Sequence, residues 1–497
     1  MQSIYDTNPT RRDYLLMGLR IFNVLGREKQ DFVPISEGTV NMYVCGPTVQ
    51  DYMHLGHAKS YVSFDVVRRY LQYKGFNVLY VQNITDVGHM QVTGEDKIEQ
   101  KARQMQAKPM QIVEMYARYF FEDMDKLGVL RPDIAPRASG HIPEQIEMIE
   151  TLIEKGNAYE VEGNVYFDVT TADDYGKLSN RRLEDQQEGS REDVRGEKRN
   201  AADFALWKSA GDGHIQQWSS PWGLGYPGWH IECSAMAKKY LGPTFDIHGG
   251  GIDNIYPHNE NEIVQSECAN GCAYSNYWML VGSLTIDGVK MSKSLFNFVT
   301  IRDALEDYRP EVIRMFAISA HYSSPVDYSE DSMEGLKNGW ERLYGAVRLT
   351  RQMMPHAPDT DASSDFLERL DKARADFEDR MDDDFNTPQA IAVLQELTRD
   401  VNTLLNSDDE VGKSTLEAIE TLYKELGGDV LGLIPTQETG GSANKEREDA
   451  LIKMLIERRS AARATKDYAE SDRIRDELAE IGVILEDRAD GTVWKTE

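Results

Sequence analysis

The hydrophobic pattern near the start of the chain predicts a strand, a helix and a second strand in succession. Residues 39–45 are β-branched and partly alternating, which is typical of a strand. From about His57 to Tyr73 apolar residues recur at helical spacing, and Gly75 supplies a stop signal. Residues 77–82 are again strand-like. Two strands joined by a helix form a β-α-β unit, so we expect an α/β fold built on a doubly wound parallel sheet.

The pattern changes after this unit, which predicts an inserted segment. Helical patterns at residues 101–128 and 143–155 precede a polar, charged stretch at 183–200 that we expect to be exposed. Sheet-like signals then resume near Gly223. A domain interrupted by an insertion at about residues 135–222 explains this return.

The second half of the chain is mostly helical and ends in a small separate unit. Residues 435–447 have the Gly, Ser, Thr and polar composition of a linker, and the segment after them ends in a hairpin-like pattern. The sequence therefore predicts a first domain at residues 1–300 that contains the insertion, a helical region at 301–434, a linker at 435–447 and a C-terminal unit at 448–497.

Composition and charge narrow the class of protein. Of 497 residues, 40% are hydrophobic and 28% charged, which is typical of globular domains. There is no run of roughly eighteen apolar residues and no secretory signal pattern, so we expect neither a membrane span nor export. Four cysteines in so long a chain do not form a disulfide framework, which indicates a cytoplasmic protein. A net charge of −29 argues against coating nucleic acid through the overall field, but it permits a local basic patch.

The first candidate for chemistry is the run His54-Leu55-Gly56-His57 at the start of the predicted helix. Gly56 permits close approach of a ligand to the backbone, and a helix N-terminus attracts phosphate. Two imidazoles three positions apart can donate to the same phosphoryl oxygens. Taken alone, the run is equally typical of two helix-capping histidines.

The second candidate is Lys290-Met291-Ser292-Lys293-Ser294, which follows a strand-like segment and a turn. Two ammonium groups in a loop can neutralise a leaving pyrophosphate. A lone pair of lysines at this spacing is more often a solvated basic loop. Both runs in one chain, in this order and both at strand ends, favour a nucleotide site.

Together the two runs resemble the signature of class I aminoacyl-tRNA synthetases. The resemblance implies a Rossmann-type catalytic domain that condenses an amino-acid carboxylate with ATP. It implies that His54 and His57 contact the ATP phosphates and the transition state, and that Lys290 and Lys293 hold the triphosphate. Two positions depart from the family pattern, with Leu55 in place of the commoner Ile and Phe296 in place of a Gly.

Two cysteines, a histidine and a glutamate form a candidate metal site. Cys45 ends the first strand, and Cys233 lies far along the chain. His258 and Glu262 are four positions apart, which in a helix places them on one face. Two thiolates, one imidazole and one carboxylate suit tetrahedral zinc.

The other two cysteines leave alternatives open. Cys268 and Cys272 are also four positions apart and could pair with Cys233 and His258 in a structural metal site. They could equally be buried apolar residues, which is the commonest fate of a free cysteine.

Longer motifs resemble the cysteinyl-tRNA synthetase family, and the likeness covers nearly the whole chain. The motifs occupy residues 42–48, 228–236, 246–251 and 260–262. The family carries zinc in its amino-acid pocket, and the resemblance implies that the ligands are Cys45, Cys233, His258 and Glu262. Asn259 replaces a histidine that is usual in the family, which alters the surroundings of the ligands and leaves the ligands intact. Independently of the family, a zinc ion separates a thiol from a hydroxyl because a thiolate is a soft ligand, and a pocket of suitable shape does this poorly.

The resemblance also implies further pocket residues. Gly56 and Asp253 would bind ATP, with Asp253 on the ribose. Trp229 and His248 have structural alternatives, as a core tryptophan and a satisfied core histidine. The implied substrate-binding residues are Gly46, Thr48, Thr85, Trp229 and His248.

By the same resemblance, the chain activates L-cysteine with ATP and Mg²⁺ and charges tRNA(Cys), and we expect a monomer. Residues 301–434 would contact the tRNA stem. Residues 448–497 would read the anticodon, with Trp494 as a stacking platform for an unpaired base. Residues 458–475 carry six basic groups against three acidic ones, a local net charge of +3.

Two other functions stay open at the level of sequence. A cysteine ligase that acylates an amino sugar, as in mycothiol synthesis, would not need the segment after residue 434. A non-catalytic tRNA- or zinc-binding paralogue would not need His54, His57, Lys290 and Lys293.

Overall fold

The computed structural model describes residues 18–88, 97–182, 197–211, 215–291, 297–407, 410–435, 442–488 and 491–496. The chain divides into two compact units, one up to Ile434 and one from Pro435 onward. Within the described ranges, no helix is both long and apolar enough to cross a membrane. Most of the predicted exposed stretch, residues 183–196, lies outside the described residues.

The first unit mixes strands with helices and then becomes mainly helical. Its described strands are β1 Arg20–Asn23, β2 Glu28–Asp31, β3 Thr39–Val44, β4 Asn77–Gln82, β5 Ala158–Val161, β6 Asn164–Phe167, β7 Phe204–Ser209, β8 Trp218–Ser220, β9 Gly223–Pro227, β10 Phe245–Gly251, β11 Ser275–Val281, β12 Leu284–Ile286, β13 Val289–Lys290 and β14 Val326–Tyr328. Its described α-helices are α1 Leu55–Tyr73, α2 Lys97–Gln104, α3 Pro109–Lys126, α4 Ile142–Glu154, α5 Trp229–Leu241, α6 Glu260–Asn270, α7 Ile301–Asp307, α8 Pro310–Ala317, α9 Glu330–Met353, α10 Ser364–Asp382, α11 Thr387–Leu405 and α12 Lys413–Leu422.

The central sheet has the order β11-β10-β3-β4, and every neighbouring pair is parallel. Met42 of β3 lies opposite Ile247 on one side and Tyr80 on the other. These three side chains are buried, as expected for a parallel sheet covered on both faces. The predicted α/β class is therefore confirmed.

Helix α1 joins β3 to β4 and packs closely on the sheet. It ends at Tyr73, and Gly75 beyond it has a φ of +91°, which glycine adopts without steric cost. A Cβ at Gly249 of β10 would lie 2.5 Å from the ring of Phe64. The missing side chain at Gly249 therefore lets α1 approach the strand behind it.

A second sheet of five antiparallel strands has the order β5-β6-β7-β9-β8. It lies within and just beyond the predicted insertion at 135–222. The sheet-like signal near Gly223 belongs to β9 of this sheet, so the expectation that it marks the return to the first sheet is wrong. That return comes at β10.

The helix predicted over residues 101–128 differs from the structure. The helical pattern over 101–128 is two helices, α2 and α3, because Gln106 has a φ of +52° and Pro109 opens a new helix. Further along, α9 to α12 pack side by side over the predicted helical region.

The second unit consists of two helices and a hairpin. These are α13 Ser442–Ala464, α14 Tyr468–Glu480, β15 Val483–Arg488 and β16 Gly491–Thr496. Helix α13 starts inside the predicted linker 435–447, of which residues 436–441 lie outside the described part of the chain. In the hairpin, Trp494 lies opposite Leu485.

Candidate active site

A cleft of about 710 Å³ lies where the chain leaves β3 and enters α1. Its walls come from the turn after β3, the start of α1, the end of β10 and the β12–β13 hairpin. Open α/β sheets bind their ligands at this carboxyl edge. The sequence-predicted residues on its wall are Cys45, Gly46, Thr48, His54, Gly56, His57, Trp229, Asp253 and Lys290.

The two histidines of the first run cap helix α1 and also face the cleft. Nδ1 of His54 accepts a hydrogen bond from the backbone N–H of Gly56 at 3.1 Å, and Nδ1 of His57 accepts from the N–H of His54 at 3.3 Å. A neutral imidazole that accepts at Nδ1 carries its proton on Nε2. In this tautomer the nitrogen that caps and the nitrogen that donates are different atoms, so capping and ligand binding are compatible.

A glycine is required at position 46 because the turn after β3 packs closely against Asn83, just after β4. A Cβ there would lie 1.5 Å from the carbonyl oxygen of Asn83, and the Gly46 N–H donates to Oδ1 of the same asparagine at 2.8 Å. A side chain at position 46 would push the turn after Cys45 away from β4. Glycine here fixes the wall that carries Cys45.

The second run is described only at its start. Lys290 ends β13, and its Nζ donates to Oδ1 of Asp253 at 2.8 Å, with both side chains exposed. Lys293 and Phe296 lie outside the described residues. Of the described part of the run, Lys290 and its neighbour Met291 line the cleft.

The four predicted metal ligands converge, with their ligand atoms all within 4.8 Å of one another. Nε2 of His258 lies 3.0 Å from Oε1 of Glu262 and 3.6 Å from Sγ of Cys233. Sγ of Cys45 lies 3.6 Å from Oε1 of Glu262. All four residues are buried. Two sulfurs, one nitrogen and one carboxylate oxygen in this space could hold one metal ion, and the donor set suits zinc.

The ligands come from separate elements of the first unit. Cys45 follows β3, Cys233 lies on α5 and Glu262 on α6. His258 lies in the irregular helical turn Ile255–Asn259 that leads into α6, and it meets Glu262 four positions on, as predicted. Cys45 also lines the cleft, so the cluster and the cleft share a wall.

The carboxylate of Glu262 is held from several sides. Oε2 accepts from Nε2 of His248 at 2.8 Å and from the hydroxyl of Tyr274 at 3.2 Å, while Oε1 accepts from Nδ2 of Asn259 at 3.1 Å. The His248 ring is itself stacked on Trp278, with 4.1 Å between centroids. Oε1 is thereby aimed at the cluster, and Asn259 fills the position of the usual histidine as a hydrogen-bond donor.

The thiols and the imidazole of the cluster influence one another's protonation. The hydrogen bond that Cys45 donates to Cys233, together with burial, raises the pKa of Cys45, and the same bond lowers the pKa of Cys233. Burial works to lower the pKa of His258, but the Glu262 carboxylate and the Cys233 sulfur outweigh it and raise the pKa to about 9. The cluster therefore retains protons that a metal ion would displace.

The second nitrogen of His258 is also engaged. Nδ1 of His258 lies 2.9 Å from Nδ1 of His230, and the Trp229 ring lies 4.3 Å from the His258 ring. Trp229 is 37% exposed and lines the cleft, so it is not a core tryptophan. Nε2 of His258 faces Cys233 and Glu262.

Two predicted substrate-binding residues lie behind the cleft wall. Thr85 is buried and donates to Glu232 at 3.3 Å. His248 is buried against Glu262. The two competing cysteines do not belong to the cluster that the described residues form. Cys268 is half-buried, and the alternative that both are buried is wrong for Cys272, which is exposed.

Sequence reasoning missed residues that carry no motif. Tyr274 and Trp278, which hold Glu262 and His248, belong to an ordinary apolar strand pattern around β11. Lys97 and Tyr52 lie on the cleft wall without any recognisable spacing. The roles of Tyr274 and Trp278 become visible only in three dimensions, where Tyr274 contacts Glu262 and Trp278 stacks on His248.

Comparison with protein families gives three matches along the chain. Residues 31–338 match the model of the class I (C) tRNA synthetase catalytic domain, residues 376–435 the DALR domain, and residues 446–494 the cysteinyl-tRNA ligase anticodon-binding domain. The last match favours a tRNA ligase over a ligase that acylates an amino sugar.

Full-length relatives agree with these matches. A cysteine–tRNA ligase of Chlorobium luteolum is 49% identical over 490 residues, covering 96% of this chain and 99% of the relative. The cysteine–tRNA ligase of Deinococcus radiodurans is 49% identical over 488 residues, covering 96% of each chain.

Solved structures agree on the fold. Methionyl-tRNA synthetase of Mycobacterium tuberculosis, solved with methionyl-adenylate, aligns with a TM-score of 0.62 at 14% identity, over 80% of this chain and 92% of that one. The domain matches and the full-length relatives lead to one conclusion about the family. The chain belongs to the cysteine–tRNA ligase family of class I aminoacyl-tRNA synthetases.

Proposed function

We propose that the chain activates L-cysteine with ATP to cysteinyl-adenylate, that a zinc ion selects the cysteine thiol, and that the cysteinyl group passes to tRNA(Cys). The observation that carries this proposal is the position of Cys45, which belongs to the four-residue cluster and also lines the cleft. A thiol-selective group and the nucleotide-binding run that begins at His54 would then share one cleft.

The metal would be held by Cys45, Cys233, His258 and Glu262, one ion per chain. Their buried sulfur, nitrogen and oxygen donors fit zinc, and no lysine or arginine contact to the cluster is among the described hydrogen bonds. Bound there, zinc would supply a Lewis acid that binds a thiolate in preference to a hydroxyl. Cysteine and serine differ in little else, and the shape of a pocket separates such analogues poorly.

The remaining wall residues would orient the amino acid. The ring of Trp229 would close the pocket beside the cluster, and the turn at Gly46 and Thr48 would meet the backbone of the substrate. His248 would act through the orientation of Glu262, and Thr85 would support the wall from behind.

ATP would lie along the start of α1. The Nε2–H groups of His54 and His57 and the helix N-terminus at Gly56 would contact its phosphates. Lys290 and Lys293 would hold the triphosphate together with Mg²⁺, and Asp253 would accept from the ribose.

The reaction itself asks little covalent chemistry of the protein. A carboxylate oxygen of cysteine attacks the α-phosphorus, the bond to the β-phosphate oxygen breaks, and pyrophosphate leaves. A hydroxyl of the terminal tRNA adenosine then attacks the cysteinyl carbonyl, and AMP leaves. Positioning and electrostatic stabilisation by the cleft residues therefore supply the rate enhancement.

The tRNA would meet both units of the chain. Residues 448–497 would read the anticodon, with Trp494 as a stacking platform, and 301–434 would contact the stem. The basic groups between 458 and 475 would supply local positive charge for this contact, although Arg459 is buried and Arg473 and Arg475 pair with neighbouring carboxylates. We place the enzyme in the cytoplasm as a monomer.

The test is amino-acid-dependent exchange of pyrophosphate into ATP. Cysteine and serine are compared in parallel, with the chain as purified, after zinc removal by a chelator, and after zinc is restored. We expect exchange with cysteine alone, its loss with the metal and its return with zinc.

The same experiment can contradict the zinc proposal and the adenylate proposal separately. Exchange with cysteine that survives complete removal of zinc would overturn the role of the metal. A folded, zinc-loaded chain without any exchange would overturn adenylate formation.

A further inference from the structure

Lys59 is a buried lysine on helix α1, one turn beyond the histidine run. It is 1% exposed. Its ammonium donates to the backbone carbonyls of Ser283, at 3.4 Å, and of Ser324. Among the described residues these are its polar partners, and no carboxylate lies with them. A buried ammonium without a counter-charge is unusual, because lysine is almost never buried unpaired.

The burial of this charge has a measurable cost. Loss of hydration lowers the pKa of Lys59 from 10.5 to about 8. A leucine or methionine would fill the same space on the inner face of α1 without that cost. A lysine here is therefore explained by what its three N–H donors hold rather than by packing.

The two carbonyls belong to segments that are pressed together at the base of a small sheet. The N–H of Gly282 donates to the carbonyl of Tyr322 at 2.8 Å, and the N–H of Val326 donates to the carbonyl of Ser283 at 3.1 Å. A Cβ at Gly282 would lie 2.5 Å from the backbone of Ser324. Lys59 thus binds both segments at their junction, where their carbonyls point to the same side.

From this junction an unbroken set of backbone pairs leads to Lys290. β12 begins one residue after Ser283 and pairs with β14 on one side and β13 on the other. The turn between β12 and β13 is held by Asp327, which accepts from the hydroxyl of Thr285 at 2.5 Å and from the N–H of Gly288 at 2.8 Å. β13 ends at Lys290, on the cleft wall.

We propose that Lys59 is a positioning residue that locks helix α1 to the base of the β12–β13–β14 sheet and so fixes the separation between His57 and Lys290. The proposal rests on the adenylate-forming function proposed above, because it assigns the two signature runs to one reaction. Lys59 itself does not line the cleft and acts through the hairpin.

The experiment compares Lys59→Met with Lys59→Arg in cysteine-dependent pyrophosphate exchange. Methionine keeps the bulk and removes the ammonium, so kcat should fall about 10- to 100-fold, as expected for a small misplacement of a catalytic group. KM for cysteine and the zinc content should stay at the wild-type values, because the metal cluster is separate. Arginine keeps a charged donor and should restore most of kcat.

A double-mutant cycle separates positioning from general destabilisation. If Lys59 acts through the hairpin, Lys59→Met should cost much less in a Lys290→Ala background than in the wild type. Lys74→Met is the matched control, because Lys74 follows the same helix but pairs with Asp382 away from the cleft, and its exchange rate should be unchanged.

Several results would overturn the inference. One is a folded Lys59→Met variant whose kcat equals that of the wild type. Another is a Lys59→Arg variant whose kcat stays as low as that of Lys59→Met. The third is a double mutant in which the fold-losses in kcat of Lys59→Met and Lys290→Ala multiply. If Lys59→Met does not fold, Lys59→Gln retains a neutral donor and the same cycle decides. Absence of exchange in the wild-type chain would instead count against the proposed function.

Discussion

Lys290 donates a hydrogen bond to Asp253 at the cleft, with 2.8 Å between Nζ and Oδ1. Lys290 belongs to the second signature run and Asp253 to the short helical turn Ile252–Asn254 that follows β10, and the proposed function assigns them to different parts of ATP. Their side chains are 70% and 67% exposed, so water screens the pair and it contributes little to folding stability. The contact brings the groups proposed for the triphosphate and the ribose within reach of one ligand.

Asp253→Asn is therefore expected to change ATP binding and not stability. Loss of the carboxylate weakens the acceptor for the ribose hydroxyls, and KM for ATP should rise about tenfold, the usual effect of losing one charged hydrogen bond. Pyrophosphate exchange at varied ATP measures KM, and thermal unfolding should show an unchanged midpoint. The control is Asp287→Asn, on the exposed turn of the β12–β13 hairpin that carries Lys290, and it should leave KM for ATP unchanged. An equal rise in both variants would contradict the ribose assignment.

Zinc content should depend on the buried cysteines and not on the exposed one. Cys233→Ser removes a soft ligand from a cluster whose other atoms are fixed, so the purified chain should lose most of its one equivalent of zinc. Cys272→Ser is the matched control, because Cys272 is exposed and outside the cluster, and it should keep its metal. Elemental analysis after dialysis gives the result. Full zinc content in Cys233→Ser would show that the ion lies elsewhere.

His248→Gln should weaken zinc binding without removing a ligand. His248 holds Oε2 of Glu262, and loss of such a supporting contact commonly costs about 10- to 100-fold in metal affinity. Competition with a chromophoric chelator measures that affinity. Tyr274→Phe removes the longer hydrogen bond at 3.2 Å and should have a smaller effect. A wild-type affinity in His248→Gln would mean that Tyr274, Asn259 and α6 orient the carboxylate without His248.

The first signature run and the four residues of the cluster could both be picked out from the sequence. The strand, helix and strand around His54 follow hydrophobic periodicity, and the structure has them at Thr39–Val44, Leu55–Tyr73 and Asn77–Gln82. The ligand set was accessible because thiolate, imidazole and carboxylate are restricted chemistries. Family motifs then decided which cysteines belong together.

The supporting contacts were inaccessible for the opposite reason. The sequence does not distinguish Lys59 from any other lysine on a helix, because its partners Ser283 and Ser324 lie 224 and 265 positions away. The residues of β9, Gly-Leu-Gly-Tyr-Pro, do not show by themselves which sheet the strand joins, and its pairing with β7 and β8 assigns it to the five-stranded sheet. Pairing between distant segments leaves no periodic trace in a single sequence.

A truncated chain that ends at Ile434 should separate the two steps of the reaction. The first unit is compact and carries the whole cleft and metal cluster, so cysteine-dependent pyrophosphate exchange should be retained. Charging of tRNA(Cys) should fall by at least about 100-fold, because the unit matched to anticodon binding is gone. The measurement is the initial rate of cysteinyl-tRNA formation with both chains. Undiminished charging would remove the proposed role of the C-terminal unit.

Stability against pH provides an independent check that the Lys59 ammonium is desolvated. Its pKa is about 8 in the folded chain against 10.5 ordinarily, so between these values the unfolded chain binds more protons and the free energy of unfolding rises with pH. The cost of burying the charge, roughly 3 kcal/mol, is present in full below pH 8 and is relieved by about pH 10.5. Lys59→Arg stays protonated throughout. Urea unfolding of both chains from about pH 7 to pH 10 should therefore show the wild type gaining stability relative to the variant. A difference that stays constant over this range would mean that water reaches the ammonium, and the electrostatic argument for its role would fail.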